Sequence, residues 1–271
     1  MPELPEVETT RLGITPVLEN KKITDVKVYN ASLRWPVPAE LAHCIKNHRI
    51  NKISRRSKYL LFEFDHGTML LHLGMSGSLR LKNISDPVEP YEHVEFVVDN
   101  WHSLRLRDPR RFGAVLWTSD SVCEHALLKH LGPEPLEKVF SSDYLFDISR
   151  KRKASIKDFL MNSHIVSGLG NIYVNESLFV AGIRPTRPAG KITRAECHRL
   201  TSAVKKILKK SIKAGGTTLR DFSGSGGEPG YFSQKLLVYG REHEGCPQCG
   251  TTIKRIIQGQ RSSFYCKKCQ K

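Results

Sequence analysis

Two groups of residues in this chain have types and spacing that point directly to chemistry. The first is the start, Met1-Pro2-Glu3-Leu4-Pro5-Glu6. Once Met1 is removed, Pro2 is a secondary α-amine. An α-amino nitrogen titrates near ~8 and a lysine near ~10.4, so a useful fraction of such an amine is neutral around pH 7. Attack by a secondary amine on an aldehyde-like carbon gives an iminium with no N–H to lose. The positive charge therefore stays and acts as an electron sink, the service that lysine gives in Schiff-base enzymes. The plainer reading is steric: proline presets φ at the beginning of a helix. Taken alone, the segment leaves both readings open.

The second group is Cys246-Pro247-Gln248-Cys249 and, sixteen residues later, Cys266-Lys267-Lys268-Cys269. Two C-x-x-C turns place four sulfurs around a tetrahedron, and a closed four-thiolate shell is a structural zinc site rather than a catalytic one. Between them, residues 251–265 alternate enough for a β-hairpin with its tip at Gln258-Gly259-Gln260-Arg261-Ser262. Arg261 there is either a groove-entering side chain or a solvated charge. Cys44, Cys123 and Cys197 are isolated. With seven cysteines in all and no export signal, a disulfide scaffold is not expected and a reducing compartment is.

Weaker signals lie between these groups. Ser167-Gly168-Leu169-Gly170-Asn171 is a glycine turn opening a helix, suited to a phosphate or simply to a tight helix–helix connection. Asp108-Pro109-Arg110-Arg111-Phe112-Gly113 sets two arginines beside an aromatic, and His72-Leu73-Gly74-Met75-Ser76-Gly77 sets a methionine between glycines. Arginine reads base edges or grips phosphate, and Phe and Met wedge between base steps. Lys58 ends the basic run Arg55-Arg56-Ser57-Lys58 and by itself reads as a solvated charge.

The elements that must position these residues fall into two halves. A helix is predicted over Glu6–Leu18, with a kink or an end near Thr15 ahead of Pro16. Strands are predicted over 22–29, 50–64, 68–81, 94–98, 103–107 and 114–117, which points to an antiparallel sandwich or barrel. The breaker-rich stretch Leu131–Leu136 marks a boundary between about 132 and 150. Helices follow at 156–161, 171–181 and 194–214. The last is capped by Thr193 and Glu196, with an apolar stripe and a lysine-rich face. Gly224-Ser225-Gly226-Gly227 reads as a mobile loop. The net charge is +16, from 43 Lys and Arg against 27 acids. That excess favours a polyanionic partner, nucleic acid before an anionic membrane surface. No run of 18 or more apolar residues predicts a membrane span.

Taken in order, MPELPEVET (1–9), HLGMSG (72–77), DPRRFG (108–113), GLGNIY (168–173), GGTTLRDF (215–222), PGYF (229–232) and the QR-bearing C-x-x-C finger resemble bacterial formamidopyrimidine-DNA glycosylase. The resemblance runs from residue 2 to 271. It implies an α+β fold: a β-sandwich with an N-terminal helix over 2–133, a linker at 134–150, a helix–two-turns–helix domain over 151–235 and a zinc-finger hairpin over 236–271. It implies a bifunctional glycosylase and AP lyase of base excision repair, acting on oxidised purines in duplex DNA by β,δ-elimination. One structural Zn2+ and no organic cofactor are implied, in a monomer of the bacterial cytoplasm and nucleoid. Pro2 is implied as nucleophile at C1′, Glu3 as the acid/base at the sugar ring oxygen, Lys58 as the acid/base of β-elimination and Arg261 as an aid to δ-elimination. Met75, Arg110 and Phe112 would fill the gap left by the extruded nucleotide. His93, Arg111, Arg152, Lys153 and Asn171 would hold phosphates. Glu6, Thr217, Thr218, Arg220 and Tyr231 would line or close the lesion pocket. Two other readings stand beside this one: a catalytically silent nucleic-acid-binding module, and a pyrimidine-preferring relative of the endonuclease VIII type.

Overall fold

The structure is a computed structural model that describes residues 2–99, 102–216 and 236–271. The described residues form two compact units: residues up to Lys129 with 214–216, and His130–Lys213 with 236–271.

The first unit opens with α1 (Leu4–Leu18). It starts two residues before the predicted position because Glu3 is its N-cap, with Pro5 in the first turn and a reciprocal capping box between Glu3 and Glu6. It ends at Leu18, as read from the sequence, and continues through Pro16 instead of ending near Thr15. Pro16 sits in the last turn, so only the bond to the carbonyl of Leu12, itself an exposed residue, is lost. Thr15 Oγ1 donates to Arg11 O (2.7 Å) and Glu19 N–H to Thr15 O (3.0 Å), which holds the turn closed.

Eight strands then make two antiparallel sheets. One has the order β1-β6-β7-β5, from Ile23–Val28, Glu92–Val98, His102–Arg107 and Ser78–Asn83. The other has the order β2-β3-β4-β8, from Lys52–Arg56, Tyr59–Phe64, Gly67–His72 and Ala114–Thr118. The stretch 50–64 is thus a hairpin rather than one strand. The stretch 68–81 splits across the two sheets, with the glycine–methionine motif as the connection. Apolar side chains of both sheets, among them Ile53, Leu60, Phe62, Leu71, Leu79, Phe96 and Leu106, pack with Val7, Ile14 and Leu18 of α1 in one core. The short α2 (Leu41–Ile45) adds Leu41 and Ile45.

Every residue of β6 is buried, including Glu92 and Glu95. Arg105 on β7 pairs with both carboxylates, at 3.1 and 3.0 Å, and donates to the carbonyls of Asp86 and Pro87 at 2.8 Å each. Burial opposes the charge on Glu95. Hydrogen bonds from Ser103 and Tyr29 and the charges of Arg105 and Lys27 outweigh it and hold the pKa down to about 2.

The second unit contains α3 (Ser142–Ser149), α4 (Ile156–Met161), α5 (Asn171–Ala181), α6 (Arg194–Lys213) and the hairpin β9–β10 (Lys254–Gln258, Arg261–Tyr265). Helix α3 lies in the stretch expected to be linker, where the N-cap Ser141 accepts from Tyr144 N–H. The capping box of α6 forms as read from the sequence: Thr193 N–H donates to Glu196 Oε2 (2.9 Å), and Glu196 N–H to Thr193 Oγ1 (3.2 Å). Among the described residues no helix is long and apolar enough to cross a membrane.

Candidate active site and nucleic-acid interface

Pro2 is buried at the mouth of α1, and Glu3 and Glu6 are each 2% exposed. Glu3 N–H donates to Glu6 Oε2 at 2.9 Å, while the Glu3 carboxylate accepts from the Glu6 N–H. The capping box therefore fixes the carboxylate beside Pro2 in one place, at the positive end of the helix. Gly216, in a left-handed conformation (φ 80°), approaches the same acid: a Cβ there would lie 3.4 Å from Glu6 Cγ.

Lys58 sits in the two-residue turn between β2 and β3, after Ser57 at φ 57°. The turn is anchored to α1 through Glu8, which accepts from Arg11 (2.7 Å) and from Arg55 (2.9 Å); Arg55 also donates to Ser57 O at 2.8 Å. Burial opposes ionisation of Glu8, but the two guanidiniums outweigh it and lower its pKa. His72 pairs across the sheet with Tyr59, their rings 4.8 Å apart. Its Nδ1 accepts from Gly74 N–H at 3.0 Å, which leaves the proton of the neutral ring on Nε2. Burial, with the nearby charges of Lys58 and Arg34, pushes His72 down to about 4. A neutral imidazole therefore lies close to Lys58 at pH 7. Sequence reasoning did not assign His72 a role.

The two wedge motifs meet. Gly74 has φ 64°, and a Cβ on it would lie 2.4 Å from the carbonyl carbon of Phe112, so the two loops touch backbone to backbone. Asp108, fully buried, ties them: Ser76 Oγ donates to Oδ1 (2.9 Å), Arg110 N–H to Oδ1 (3.2 Å) and Gly113 N–H to Oδ2 (2.7 Å). With its loop so fixed, the apolar tips project: Met75 is 37% exposed and Phe112 42%, with the Arg110 guanidinium 5.1 Å from the Phe112 ring. Arg111 is exposed at φ 58°. His93 is buried and donates from Nε2 to Asp108 O at 2.8 Å, so it supports this loop.

In the second unit the four Sγ atoms of Cys246, Cys249, Cys266 and Cys269 lie within 4.8 Å of one another, with 3.9 Å between Cys246 and Cys269 and 3.5 Å between Cys249 and Cys266. Tetrahedral Zn–S bonds of about 2.3 Å place sulfurs roughly 3.8 Å apart. The donor set thus fits one structural Zn2+. Arg261 is exposed at the start of β10, beyond a tip whose Gly259 and Gln260 have φ 50° and 61°. The hairpin is held by helix side chains. Lys157 of α4, wholly buried, donates to Ser262 O (3.0 Å) and Ser263 Oγ (2.7 Å), and burial lowers its pKa to about 8. On α5, Asn171 Nδ2 donates to Ser262 O (3.0 Å) and Asn175 Oδ1 accepts from Phe264 N–H (2.7 Å). Glu176 accepts from the N–H groups of residues 237, 238 and 239 at 2.8 to 2.9 Å. Arg152 and Lys153 are exposed ahead of α4. Thr217, Thr218, Arg220 and Tyr231 lie outside the described residues.

Three family models match in sequence: the formamidopyrimidine-DNA glycosylase N-terminal domain over residues 1–115, the H2TH domain over 131–223, and the zinc finger found in FPG and IleRS over 244–271. The chain belongs to the formamidopyrimidine-DNA glycosylase family. The curated formamidopyrimidine-DNA glycosylases of Thioalkalivibrio sulfidiphilus and Saccharophagus degradans are each 52% identical to it over 271 residues, covering all of both chains. Among solved structures, a Lactococcus lactis FPG variant in complex with a Fapy-dG containing DNA superposes with a TM-score of 0.93 at 33% identity, over 99% of each chain. MutM (FPG) of Thermus thermophilus gives 0.89 at 33% identity, over 99% of this chain and 98% of that one. The resemblance read from the sequence is thereby shown, as are the sandwich, the helical H2TH domain and the zinc finger.

Proposed function

We propose that this chain is a DNA glycosylase and AP lyase that removes oxidised purines from duplex DNA, with Pro2 as nucleophile. The observation that carries the reading is the start of α1: a buried proline whose neighbour Glu3 is locked by a capping box, with the Lys58 turn anchored to the same helix through Glu8 and Arg55.

The neutral Pro2 nitrogen attacks C1′ as the bond to the damaged base breaks and the base leaves with that electron pair. The Glu3 carboxylate takes the proton that the Pro2 nitrogen loses and passes it to the ring oxygen as the C1′–oxygen bond breaks and the sugar opens, and the iminium forms. The iminium makes the 2′-hydrogen acidic. Lys58 serves as acid/base while the 3′-phosphate leaves, and Arg261 assists departure of the 5′-phosphate in the second elimination. The base must first leave the stack, at a cost of about a few kcal/mol. Met75, Arg110 and Phe112 offset this by filling the gap, with Arg110 facing the orphaned base. Glu6, with Thr217, Thr218, Arg220 and Tyr231, contributes to the lesion pocket. Asn171, Arg111, Arg152 and Lys153 hold phosphates. His93 has Nε2 engaged by Asp108, so any phosphate contact by it falls to Nδ1. The zinc supplies no reaction step; it shapes the hairpin that carries Arg261. The protein acts as a monomer in the bacterial cytoplasm, at the nucleoid.

The reaction needs Met1 removed, so a retained N-terminal extension should leave DNA binding intact and abolish cutting. The reading is tested with duplexes carrying 8-oxoguanine opposite cytosine or thymine glycol. Release of 8-oxoguanine with a one-nucleotide gap bearing phosphate at both ends supports it. Binding without cleavage identifies a silent binding module instead, and a preference for thymine glycol overturns the substrate assignment.

A further inference from the structure

The solvent side of α6 carries a charge pattern that the proposed reaction does not use. Lys206, Lys209, Lys210 and Lys213 fall at i, i+3, i+4 and i+7, and all four are exposed. They lie opposite the buried stripe of Leu200, Val204, Ile207, Leu208 and Ser211. Across its 20 residues the helix holds a single acid, Glu196, which Arg187 and Thr193 occupy. None of the four lysines pairs with an acid among the described residues. Like charges three or four apart on a helix repel one another. Lys210 and Lys213 stand in the last turn, where the helix dipole favours a cation. Lys206 and Lys209 have no such return, so the stripe is an unneutralised charge.

Its place in the fold says what would neutralise it. Tyr173 Oη and Ser211 Oγ are 2.6 Å apart, joining the first turn of α5 to the last turns of α6. Arg199 Nε donates to Ala181 O (3.3 Å), joining the opposite ends. The helices are antiparallel, and the lysine-rich end of α6 lies at the same end of the pair as the Gly168–Asn171 turn and the positive terminus of α5. We propose that this stripe is an additional phosphate-backbone grip, binding duplex DNA that flanks the lesion beyond the contacts of the glycine turn. The inference rests on the DNA-repair reading above and adds a surface to it.

The test compares the full-length protein with a stripe variant, Lys206→Gln, Lys209→Gln, Lys210→Gln and Lys213→Gln. A charge-matched control replaces Lys22, Lys52, Lys138 and Lys191, also exposed, with Gln. Binding to lesion-free duplexes of about 12 and about 30 base pairs is measured against salt, each neutralised phosphate contributing ~0.9 to the slope of log K against log salt. On the longer duplex the stripe variant should lose ~2 to 3.6 from the slope and the control less than ~1. Both should bind the short duplex with nearly wild-type slope. Single-turnover excision from a short lesion duplex should be unchanged in both, which separates failure of this idea from failure of the glycosylase reading. An unaltered slope on the long duplex, or a loss equal to the control's, overturns the proposal and leaves the face to an acidic protein partner or to solvent. Circular dichroism of each variant excludes a folding defect as the source of a lowered slope.

Discussion

The sandwich and the zinc finger both present side chains on short loops, but they hold those loops by different means. In the first unit the wedge loops rest on two sheets with an extensive apolar core, and one buried carboxylate, Asp108, accepts from the Ser76 hydroxyl of one loop and from backbone N–H groups of the other. The finger has a much smaller core, centred on Phe179, Val238, Ile253 and Phe264 with its cysteines. It relies on the metal and on polar pins from α4 and α5. A large core can carry a precise loop with one polar latch. A small module needs covalent-strength ligands and several latches.

That contrast can be broken by removing each kind of support. The largest effect belongs to Cys249→Ser. Structural zinc contributes about 10–16 kcal/mol to isolated fingers, comparable with the ~5–15 kcal/mol stability of a whole domain. The variant should lose one zinc equivalent by metal analysis and most DNA affinity by titration, while the near-ultraviolet signal of the sandwich tryptophans persists. Full DNA binding without metal would make the polar pins sufficient and dissolve the contrast.

Asp108→Asn should come next. An amide in place of the carboxylate sets an N–H donor against the N–H of Gly113 or the hydroxyl of Ser76, at roughly 1–3 kcal/mol per unsatisfied group. Single-turnover base release should fall about 10-fold or more. Borohydride trapping on a preformed abasic site should fall far less, because that substrate needs no base extruded. Equal losses on both substrates would place Asp108 in general stability rather than in the wedge loops.

Lys157→Met should have a smaller effect. It removes the donor to Ser263 Oγ, but Ser262 O keeps Asn171, and burying an ammonium is itself costly. A loss of about 5-fold in duplex affinity with unchanged zinc content is expected. Loss of zinc as well would show that this pin and the metal act as one unit.

The smallest effect is a pH dependence, with different windows for two groups of the first unit, the half-buried His72 and the buried Glu95. His72 is held neutral, its folded pKa of about 4 lying below the ordinary 6.5. Its contribution is fully present above about 6.5 and is lost as pH falls toward 4. Glu95 has its pKa lowered to about 2, so its contribution is present above the ordinary carboxylate value of 4.5 and is lost as pH falls toward 2. Acid titration of stability should show a first loss removed by His72→Gln and a second that this substitution leaves in place. A single step unaffected by the substitution would contradict the His72 assignment.

What the sequence made legible was local. Pro2 with Glu3, the two C-x-x-C turns, the capping box of Thr193 and Glu196 and the glycine turn before Asn171 each lie within a few residues. Spacing alone is enough to read them. The residues missed act across the fold: Asp108 reaches Ser76, Lys157 reaches Ser262 and Ser263, and His72 owes its lowered pKa first to burial and then to the charges of Lys58 and Arg34. Arg105, Glu92 and Glu95 drew no reading of their own, because only the pairing register places them together on buried strands. Helix α1 reaches Leu18, the outer limit read for it, without stopping near Thr15, because a proline in a last turn forfeits only one bond. The single strands expected at 50–64 and 68–81 failed because alternation continues through a two-residue turn and through a loop that changes sheets.

Formation of the covalent bond to DNA by the Pro2 nitrogen is the step on which the proposed reaction turns. It is tested most directly by borohydride reduction of the full-length protein, Met1 removed, on a duplex with 8-oxoguanine opposite cytosine, followed by peptide mapping of the adduct. One cross-link is expected, on the peptide that begins at Pro2, with none in Pro2→Gly beyond background. An adduct on Lys58 or any other lysine, or excision of the base with no adduct at all, would contradict it.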